Sequence, residues 1–502
     1  MNPIFKQKGS QSDPDNYRGL MVNAITNKVL IMILLDRVRT FYEESILAFQ
    51  FGFRQNKATS DAIFVTRQII QKYIQEIYGC FIDIKAAYDH VPRKLLWKLM
   101  RIRLGPENEK IVDIFEKLYS KTTAKLPGSK ETINVEIGFR QGGAESCMLF
   151  NFWMDSIIRI IQYKISQKFP RGTGIAHSYN ISNECTNRRQ VDESGPRNGN
   201  ATTDFILYAD DLFVPATSKN ELQGVIEIIN DTFLDFGMKL SESKTKTMSW
   251  NTNSEVKSSK SLIRINDKNI ENVNDFRYLG HWITDCEVNE KYLQQQINSA
   301  YAKWHEFKDV FKDKSIYLFT RVKMAESMIR SRLVYGIETE RLKKKQKIKL
   351  DAIWMRFLRR MMKGGFARKE NSFGYKYTNE KVLKICKTQD ASKFCQIRHC
   401  KFLAHVTRSP NNTPQKQWLF TDLQGQRCQW KPLAKDLGID VLQLKSTLNN
   451  KYRQHLMKTA THSDFFKIFF HSFFTTMSAN LLDTYLKTLS KTFKTTLNFK
   501  KC

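Results

Sequence analysis

The stretch Phe205-Ile206-Leu207-Tyr208-Ala209-Asp210-Asp211-Leu212-Phe213-Val214-Pro215 sets two adjacent acids between two apolar runs. This pattern is typical of a β-hairpin with carboxylates at its tip. A second apolar run, Cys80-Phe81-Ile82-Asp83-Ile84, carries a single acid and predicts a buried strand. Carboxylates on strands are costly to bury because desolvation disfavours their charged form, and three on one sheet would repel each other. The pattern therefore predicts a cation site at Asp83, Asp210 and Asp211.

A pair of divalent cations would relieve this repulsion. Hard carboxylate oxygens favour Mg²⁺, which keeps part of its hydration for substrate phosphates, and Mn²⁺ would also serve. Two ions about 3.5–4 Å apart can activate an attacking oxygen and neutralise the leaving one, as nucleotide addition requires. Taken alone, a pair such as Asp210-Asp211 is more often a solvated turn than a metal site.

The charge of the chain predicts a polyanionic partner. Lys and Arg number 81 against 50 Asp and Glu, a formal net charge of +31, which would attract nucleic acid or an anionic membrane. The most apolar late stretch, residues 465–474, is too short to span a bilayer and contains Lys467 and His471. Nine scattered Cys and no visible signal peptide favour an intracellular protein, cytoplasmic or nuclear, whose partner is nucleic acid rather than membrane.

A set of further motifs around these acids carries a family resemblance. Tyr208-Ala209-Asp210-Asp211 resembles the central motif of reverse transcriptases, and residues 81–89 resemble their first palm motif, best that of non-LTR (LINE-type) retrotransposons. The other matches follow in the family order across roughly residues 3–283: Asn16-Tyr17-Arg18-Gly19-Leu20, Gln50-Phe51-Gly52-Phe53-Arg54, Arg140-Gln141-Gly142 with Ser146, Gly237-Met238-Lys239-Leu240 with Lys244-Thr245-Lys246, and Tyr278-Leu279-Gly280.

The resemblance implies an α+β right-hand polymerase. Residues 1–79 would form partial fingers, and residues 80–283 a palm with an antiparallel sheet and a loop insertion at 172–203. Residues 284–370 would form a basic helical thumb that follows a nucleic-acid duplex without reading its sequence. Residues 371–502 would form a C-terminal helical region of unknown role. Cys386, Cys395, Cys400 and His405 in that region are spaced more like core residues of helices than like zinc ligands.

By the same resemblance, Asp83 and Asp210 are direct ligands of two Mg²⁺ ions. Asp211 completes the acidic cluster, and the backbone carbonyl of Ile84 adds an oxygen ligand. Tyr88 is expected to lie under the incoming sugar and to clash with a ribose 2′-hydroxyl. The alternative for Tyr88 is a core aromatic side chain.

Four further residues are expected around the nucleotide. Gln141 and Gly142 would line its pocket, Gly142 by allowing close approach of the backbone. Arg18 would contact the triphosphate, the alternative being a solvated loop arginine. Lys244 would approach the leaving pyrophosphate as a general acid, the alternative being a surface salt bridge. The sequence departs from the family at Cys147, where a Pro is usual, and in the filling Gly143-Ala144-Glu145.

The implied reaction is attack of a DNA primer 3′-hydroxyl on a deoxynucleotide, templated by RNA, with nicked target DNA as the family's primer. No endonuclease is visible, and the sequence enters inside the fingers, which suggests an N-terminally truncated element product. Two alternatives stay open: a catalytically inactive nucleic-acid-binding remnant of such an element, and a group II intron maturase, which a splicing domain would favour.

Overall fold

The computed structural model describes residues 1–421 except 7–8, 182–195, 197, 286–289, 340–341 and 363–376. Part of the insertion expected at 172–203, and the C-terminal region from 422 onward with its apolar stretch 465–474, lie outside the described residues. The strands are β1 Asn2–Phe5, β2 Tyr17–Leu20, β3 Ile77–Ile82, β4 Thr123–Lys125, β5 Thr132–Asn134, β6 Ile175–Asn180, β7 Asn198–Thr203, β8 Ile206–Tyr208, β9 Asp211–Ala216, β10 Lys246–Trp250, β11 Ser261–Ile265, β12 Lys268–Glu271, β13 Asp275–Tyr278 and β14 His281–Thr284. The helices are α1 Ile25–Ser45, α2 Thr59–Lys72, α3 Arg93–Leu104, α4 Glu109–Ser120, α5 Ser146–Lys168, α6 Lys219–Asp235, α7 Ser254–Ser258, α8 Glu290–Glu306, α9 Lys308–Lys312, α10 Leu318–Ala325, α11 Ser331–Leu333, α12 Lys344–Met361, α13 Asn379–Cys386, α14 Ala391–Arg408 and α15 Pro414–Leu419.

A four-stranded antiparallel sheet in the order β10-β3-β9-β8 forms the centre of the molecule. Every residue of β3 is buried, as its unbroken apolar sequence predicts for a strand covered on both faces. The helices α5 and α6 pack together, and α6 also contacts β3 and β9. The main core includes Trp153, Phe150 and Ile226 from these helices.

The helix α1 differs from its predicted packing. The helical spacing of Val29, Ile33 and Val38 predicts a buried face through these residues. However, Val29 and Ile33 are about half exposed, at 54% and 50%. The buried face instead runs through Ile31, Leu34, Leu35, Val38 and Tyr42. Because every position from 29 to 35 is apolar, more than one face of the helix could be buried. Only the packing against the rest of the protein selects between these faces.

Two other local predictions need correction. The spacing of Ile63, Ile70 and Ile74 predicts a helix from Thr59 to Tyr78. The helix instead ends at Lys72, and Ile77 already begins β3. The expected loop at 172–203 has paired ends, because β6 and β7 form an antiparallel hairpin. In β6 the alternate residues Ile175, His177 and Tyr179 are buried, which is the period of a half-buried strand.

A second apolar core lies under the helices that follow the sheets. It joins α8 to α12 with α13 and the start of α14, and it contains Trp304, Phe311 and Trp354. The cysteines Cys386 and Cys395 are buried in this core as apolar side chains. Within the described part of the chain, no helix is both long and apolar enough to cross a bilayer.

The helix α2 lies deep in the molecule and is covered by elements from the far end of the chain. The ammonium group of Lys72 donates to the backbone oxygens of Trp418 at 2.5 Å and Thr421 at 2.7 Å. At the other end of α2, Asp61 pairs with His405 of α14, with 3.1 Å between Oδ1 and Nε2. The described residues after 378 are therefore part of the folded body.

Candidate active site

The strand register brings the three predicted acids together at one end of the central sheet. Tyr208 pairs with Asp211 across a tight turn in which Ala209 has a φ of +60°. Next to this hairpin, Ile82 of β3 pairs with Leu212 of β9. One step further along this antiparallel register Asp83 faces Asp211, and directly opposed side chains lie on the same face of a sheet. Asp210 occupies the turn between β8 and β9.

The carboxylates of Asp83, Asp210 and Asp211 lie close enough for their charges to interact. Desolvation by the surrounding protein, followed by the charges of Asp210 and Asp83, raises the pKa of Asp211 to about 7. The pKa of Asp210 is also raised, first by desolvation and then by Asp83, while Arg18 and Lys244 oppose the shift. Although the protein desolvates it in part, Asp211 keeps solvent-accessible surface, so ions in solution can reach this group of like charges. Such a cluster favours the arrival of a cation.

The end of β3 is held by the segment that follows α6. The backbone N–H of Ser241 donates to the oxygen of Asp83, and that of Lys85 donates to the oxygen of Lys239, both at 2.8 Å. Backbone groups of successive strand residues point to opposite neighbours. The carbonyl of Ile84 is therefore directed away from residues 239–241 and toward the side of β9 that carries the acids.

The lysine predicted as a general acid lies at the same cluster. The ammonium group of Lys244 is 3.4 Å from Oδ2 of Asp83, and its side chain is 70% exposed. Lys244 therefore forms a salt bridge, but with a candidate metal ligand rather than with a distant surface acid. The guanidinium of Arg18, on β2, is exposed and close enough to Asp210 to lower the pKa of its carboxyl group.

Of the residues expected around the nucleotide, Tyr88 lies near Asp210, and Gln141 is bound to Asp89 and to the residue after β2. The ring of Tyr88 stacks on Phe150 with centroids 4.1 Å apart, and the nearby Cys147 and Asp210 add to the effect of burial in raising the pKa of Tyr88. Gln141 donates from Nε2 to Oδ1 of Asp89 at 3.0 Å, and its backbone oxygen accepts from the N–H of Met21 at 2.7 Å.

Gly142 meets its expected backbone requirement. Its φ is +99°, and an added Cβ would lie 2.7 Å from Cδ1 of Leu20 and 3.2 Å from the oxygen of Met21. Only glycine fits this close approach between the Gln141-Gly142 turn and the end of β2.

Comparison with known families decides the class of protein to which this geometry belongs. The family model described as reverse transcriptase (RNA-dependent DNA polymerase) matches residues 5–283, which include the whole central sheet and every residue of the candidate site. The chain belongs to the reverse transcriptase family. The α+β polymerase fold and the non-LTR retrotransposon type expected from the motifs are thereby confirmed.

The reverse transcriptase also resembles individual proteins. It is 29% identical over 161 residues to a 115 kDa protein in the type-1 retrotransposable element R1DM of Drosophila melanogaster, covering 31% of this chain and 15% of that protein. It is 22% identical over 241 residues to the Pol polyprotein of the type-2 element R2DM of the same fly, covering 47% and 20%. The match therefore spans only a fifth or less of these curated relatives.

Among solved structures, apo telomerase from Candida tropicalis has a TM-score of 0.38 at 13% identity, covering 89% of this chain and 61% of that one. Telomerase from Candida albicans in complex with a telomeric RNA fragment has a TM-score of 0.40 at 11% identity, covering 72% and 58%.

One side chain that supports the acidic turn was not singled out from the sequence. Oε1 of Gln50 accepts from the backbone N–H groups of Gly52 at 2.8 Å and Ala209 at 2.9 Å, and Nε2 donates to the oxygen of Ala209. Gln50 is 2% exposed. The available signal was an amide within an aromatic run, since a buried amide must find hydrogen-bond partners.

The reverse transcriptase motif around Gln141 contains residues that stabilise the fold rather than contact substrate. Arg140 is buried, lies over the ring of Tyr119 at 4.5 Å, and donates to Oγ1 of Thr122 at 3.1 Å. The unusual Glu145 is fully buried and accepts from the hydroxyl of Tyr119 at 2.8 Å. Of the motif residues Arg140, Gln141, Gly142 and Ser146, Arg140 and Ser146 are buried, whereas Gln141 and Gly142 are accessible.

The oxygen donors at this site fit divalent metal ions, which the family generally uses. Among the described residues, no group of three or more His, Cys, Asp or Glu is arranged to hold a metal ion. Mg²⁺ commonly binds through one or two carboxylates, with water and substrate phosphates completing its shell. The reachable carboxylates and the directed carbonyl of Ile84 meet that requirement.

Proposed function

We propose that this chain copies RNA into DNA by adding deoxynucleotides to the 3′-hydroxyl of a DNA primer. Two Mg²⁺ ions would be held by Asp83, Asp210 and Asp211 with the carbonyl of Ile84. The observation that carries the proposal is the convergence of these acids at one end of the central sheet, within the residues that match the family.

The charges around the acids suit a triphosphate substrate. Bound Mg²⁺ supplies the Lewis acidity that activates the primer hydroxyl and neutralises the leaving pyrophosphate. Arg18 binds the triphosphate through its planar guanidinium, which matches phosphate oxygens. The exposed Lys244 leaves Asp83 and places its proton at the leaving pyrophosphate.

The packing of Tyr88 supports its role in sugar selection. Its ring stacks face to face on Phe150 and packs edge-on against Phe139, with the latter ring centroids 6.3 Å apart. These contacts keep the ring from moving aside for a bulkier sugar. A rigid ring near Asp210 excludes a ribose 2′-hydroxyl by contact, whereas a deoxyribose passes.

The helix α12 supports binding of a template and primer duplex. Its N-terminal region exposes Lys343, Lys344, Lys345 and Lys349, while Leu350, Trp354 and Leu358 anchor it in the second core. A row of cations on a rigid helix binds phosphates irrespective of base sequence, which suits an enzyme that must copy any template.

The test is primer extension on an RNA template with Mg²⁺, using the wild type, Asp210→Asn and the matched control Asp235→Asn. Asp235 is an exposed residue paired with Lys164, so its loss leaves the acidic turn unchanged. We expect Asp210→Asn to abolish synthesis and to keep RNA binding, and Asp235→Asn to behave as the wild type. Substantial synthesis by Asp210→Asn would disprove the metal-ligand role. RNA binding without synthesis by the wild type would favour the inactive remnant.

A further inference from the structure

The side chain of Tyr335 connects the helices of the second core to the central part of the molecule. Its neighbours Val334 and Ile337 are buried in that core, so the helices fix its position. The hydroxyl of Tyr335 donates to the backbone oxygen of Leu279 at 2.9 Å. Because its single proton is used there, the hydroxyl of Thr59 donates to Tyr335, with 3.1 Å between the two oxygens. One hydroxyl group therefore joins the helices to the turn after β13 and to the start of α2.

The turn that Tyr335 holds has an unfavourable backbone conformation. Because Tyr278 pairs with His281, the turn between β13 and β14 has two residues. These are Leu279 and Gly280, whose φ angles are +49° and +79°. Glycine adopts such angles freely, whereas a leucine adopts them only when its surroundings compensate for the strain. The ring of Tyr335 also packs against Gly280, where an added Cβ would lie 3.4 Å from Cε1. Tyr335 thus holds the first residue of the turn by a hydrogen bond and the second by contact.

This turn lies on the face of the central sheet that carries the acids. The rings of Phe276 and Tyr278 pack on Phe81 of β3, with centroids 4.6 Å and 5.3 Å apart. Phe81 precedes Asp83 by two residues, so the two side chains share a face. The open end of the hairpin lies at the other end of the sheet. There Trp250, which pairs with the first residue of β3, donates from Nε1 to the backbone oxygen of the last residue of β14 at 2.9 Å. The turn therefore points toward the acidic end.

We propose that Tyr335 is a positioning residue for DNA synthesis, which holds the helices of the second core and the turn at residues 279–280 in place relative to the acids. This inference rests on the proposed function. The same helices present the exposed lysines of α12, so the position of a bound duplex depends on how the helices are joined to the sheet. Loss of the hydroxyl removes the donor that offsets the strain at Leu279. The fraction of molecules with the turn in place then falls, and the rate of synthesis falls with it.

The test compares Tyr335→Phe with the matched control Tyr301→Phe in primer extension on an RNA template. Each substitution removes one hydroxyl group and keeps the ring, and the hydroxyl of Tyr301 accepts from Arg356 at 2.8 Å within the second core's helices. Loss of a neutral hydrogen bond changes an equilibrium by about two- to tenfold, so we expect kcat of Tyr335→Phe to fall by about that factor. The KM for deoxynucleotides and the Kd for the duplex, measured by fluorescence anisotropy, should keep wild-type values, because Arg18 and the lysines of α12 are unchanged.

Hydrogen exchange of the peptide that contains residues 276–284 gives a readout that does not depend on activity. Exchange should be faster in Tyr335→Phe than in the wild type and unchanged in Tyr301→Phe, because an unsupported turn opens more often. Thr59→Val removes the other hydroxyl of this contact and should produce the same changes to a smaller extent. It remains informative if Tyr335→Phe fails to fold.

The outcomes separate this inference from the proposed function. A wild-type kcat in folded Tyr335→Phe, or an equal fall in Tyr301→Phe, would overturn the positioning role. Unchanged exchange at residues 276–284 would overturn it whether or not the wild type makes DNA. Absence of synthesis by a wild type whose turn is protected by Tyr335 would instead overturn the proposed function.

Discussion

The substitution Gly52→Ala tests whether the position of the acidic turn limits catalysis. A Cβ at residue 52 would lie 2.4 Å from the backbone nitrogen of Ala209 and 3.0 Å from the carbonyl carbon of Tyr208. Neither atom belongs to a flexible side chain. Gly52 is itself fixed, because its N–H donates to Gln50 at 2.8 Å and its oxygen accepts from Asn151 at 2.7 Å. The added methyl group must therefore displace the turn.

The size of the displacement follows from these contacts. Real Cβ atoms stay at least 3.0 Å from other heavy atoms, so the nitrogen of Ala209 must retreat from 2.4 Å by about 0.6 Å. Asp210 follows Ala209 directly and would move with it. Overpacking of this kind costs about 1–3 kcal/mol of folding free energy. Because misplacement by about 1 Å can cost a hundredfold in rate, we expect kcat to fall about ten- to a hundredfold.

The assay combines steady-state primer extension with urea denaturation. The matched control is Gly199→Ala on β7, where the three atoms nearest to the new Cβ all belong to Tyr179, the first being its hydroxyl oxygen at 3.3 Å. Both substitutions lower the entropy of the unfolded chain alike, so a difference between them reports the folded state. A folded Gly52→Ala enzyme with wild-type kcat would show that the turn is not held as described.

Three further outcomes follow from the structure. Replacing Tyr88 by Ala should raise incorporation of ribonucleotides relative to deoxynucleotides in single-nucleotide extension; unchanged selection would leave only a packing role. Lys72→Met should lower the free energy of unfolding by about 2–4 kcal/mol in urea denaturation, because the oxygens of Trp418 and Thr421 lose a buried donor; a loss no larger than that of an exposed lysine would contradict this account. Burial, then the charge of Glu221, raises the pKa of Asp204 from 3.8 to about 6. Between pH 3.8 and 6 the folded state holds a proton on Asp204 that the unfolded state has released. Protonation of Asp204 therefore stabilises the fold fully below pH 3.8, and this stabilisation is lost as the pH rises through 6. Asp204→Asn should remove that pH dependence and be more stable than wild type well above pH 6, by about 3 kcal/mol; parallel stability curves from pH 4 to 7 would refute it.

Local patterns were sufficient to predict the strands that carry the acids. The runs around Asp83 and Asp210 are apolar, short and bounded by turn-forming or polar residues, so their pattern determines the strand type without long-range information. The position of Asp83 opposite Asp211 could not be predicted from the sequence pattern alone. It depends on the pairing of Ile82 with Leu212, and the family motifs, rather than periodicity, led to that expectation.

The supports of the site were harder to predict because their partners are distant in sequence. Gln50 and Ala209 are 159 residues apart, and an isolated amide in an aromatic run does not indicate which backbone it will bind. The same limit applies to Arg140, because nothing in the motif Arg140-Gln141-Gly142 indicates that its first side chain is buried. Arg140 is buried because it packs on the ring of Tyr119 and donates to Thr122, and both of these residues lie outside the motif.

The far end of the described chain contributes to the site through α2. This helix begins just after the residues that hold the acidic turn, and it is buried because α14 and α15 cover it. The contacts that cover it are polar and specific: Lys72 binds the backbone after Trp418, and Asp61 pairs with His405. A buried ammonium and a buried carboxylate are strongly unfavourable once their partners leave. The segment that supplies those partners therefore stabilises α2 and, through it, the preceding residues Gln50 and Gly52. A polymerase domain that ended at residue 370 would lack these stabilising contacts.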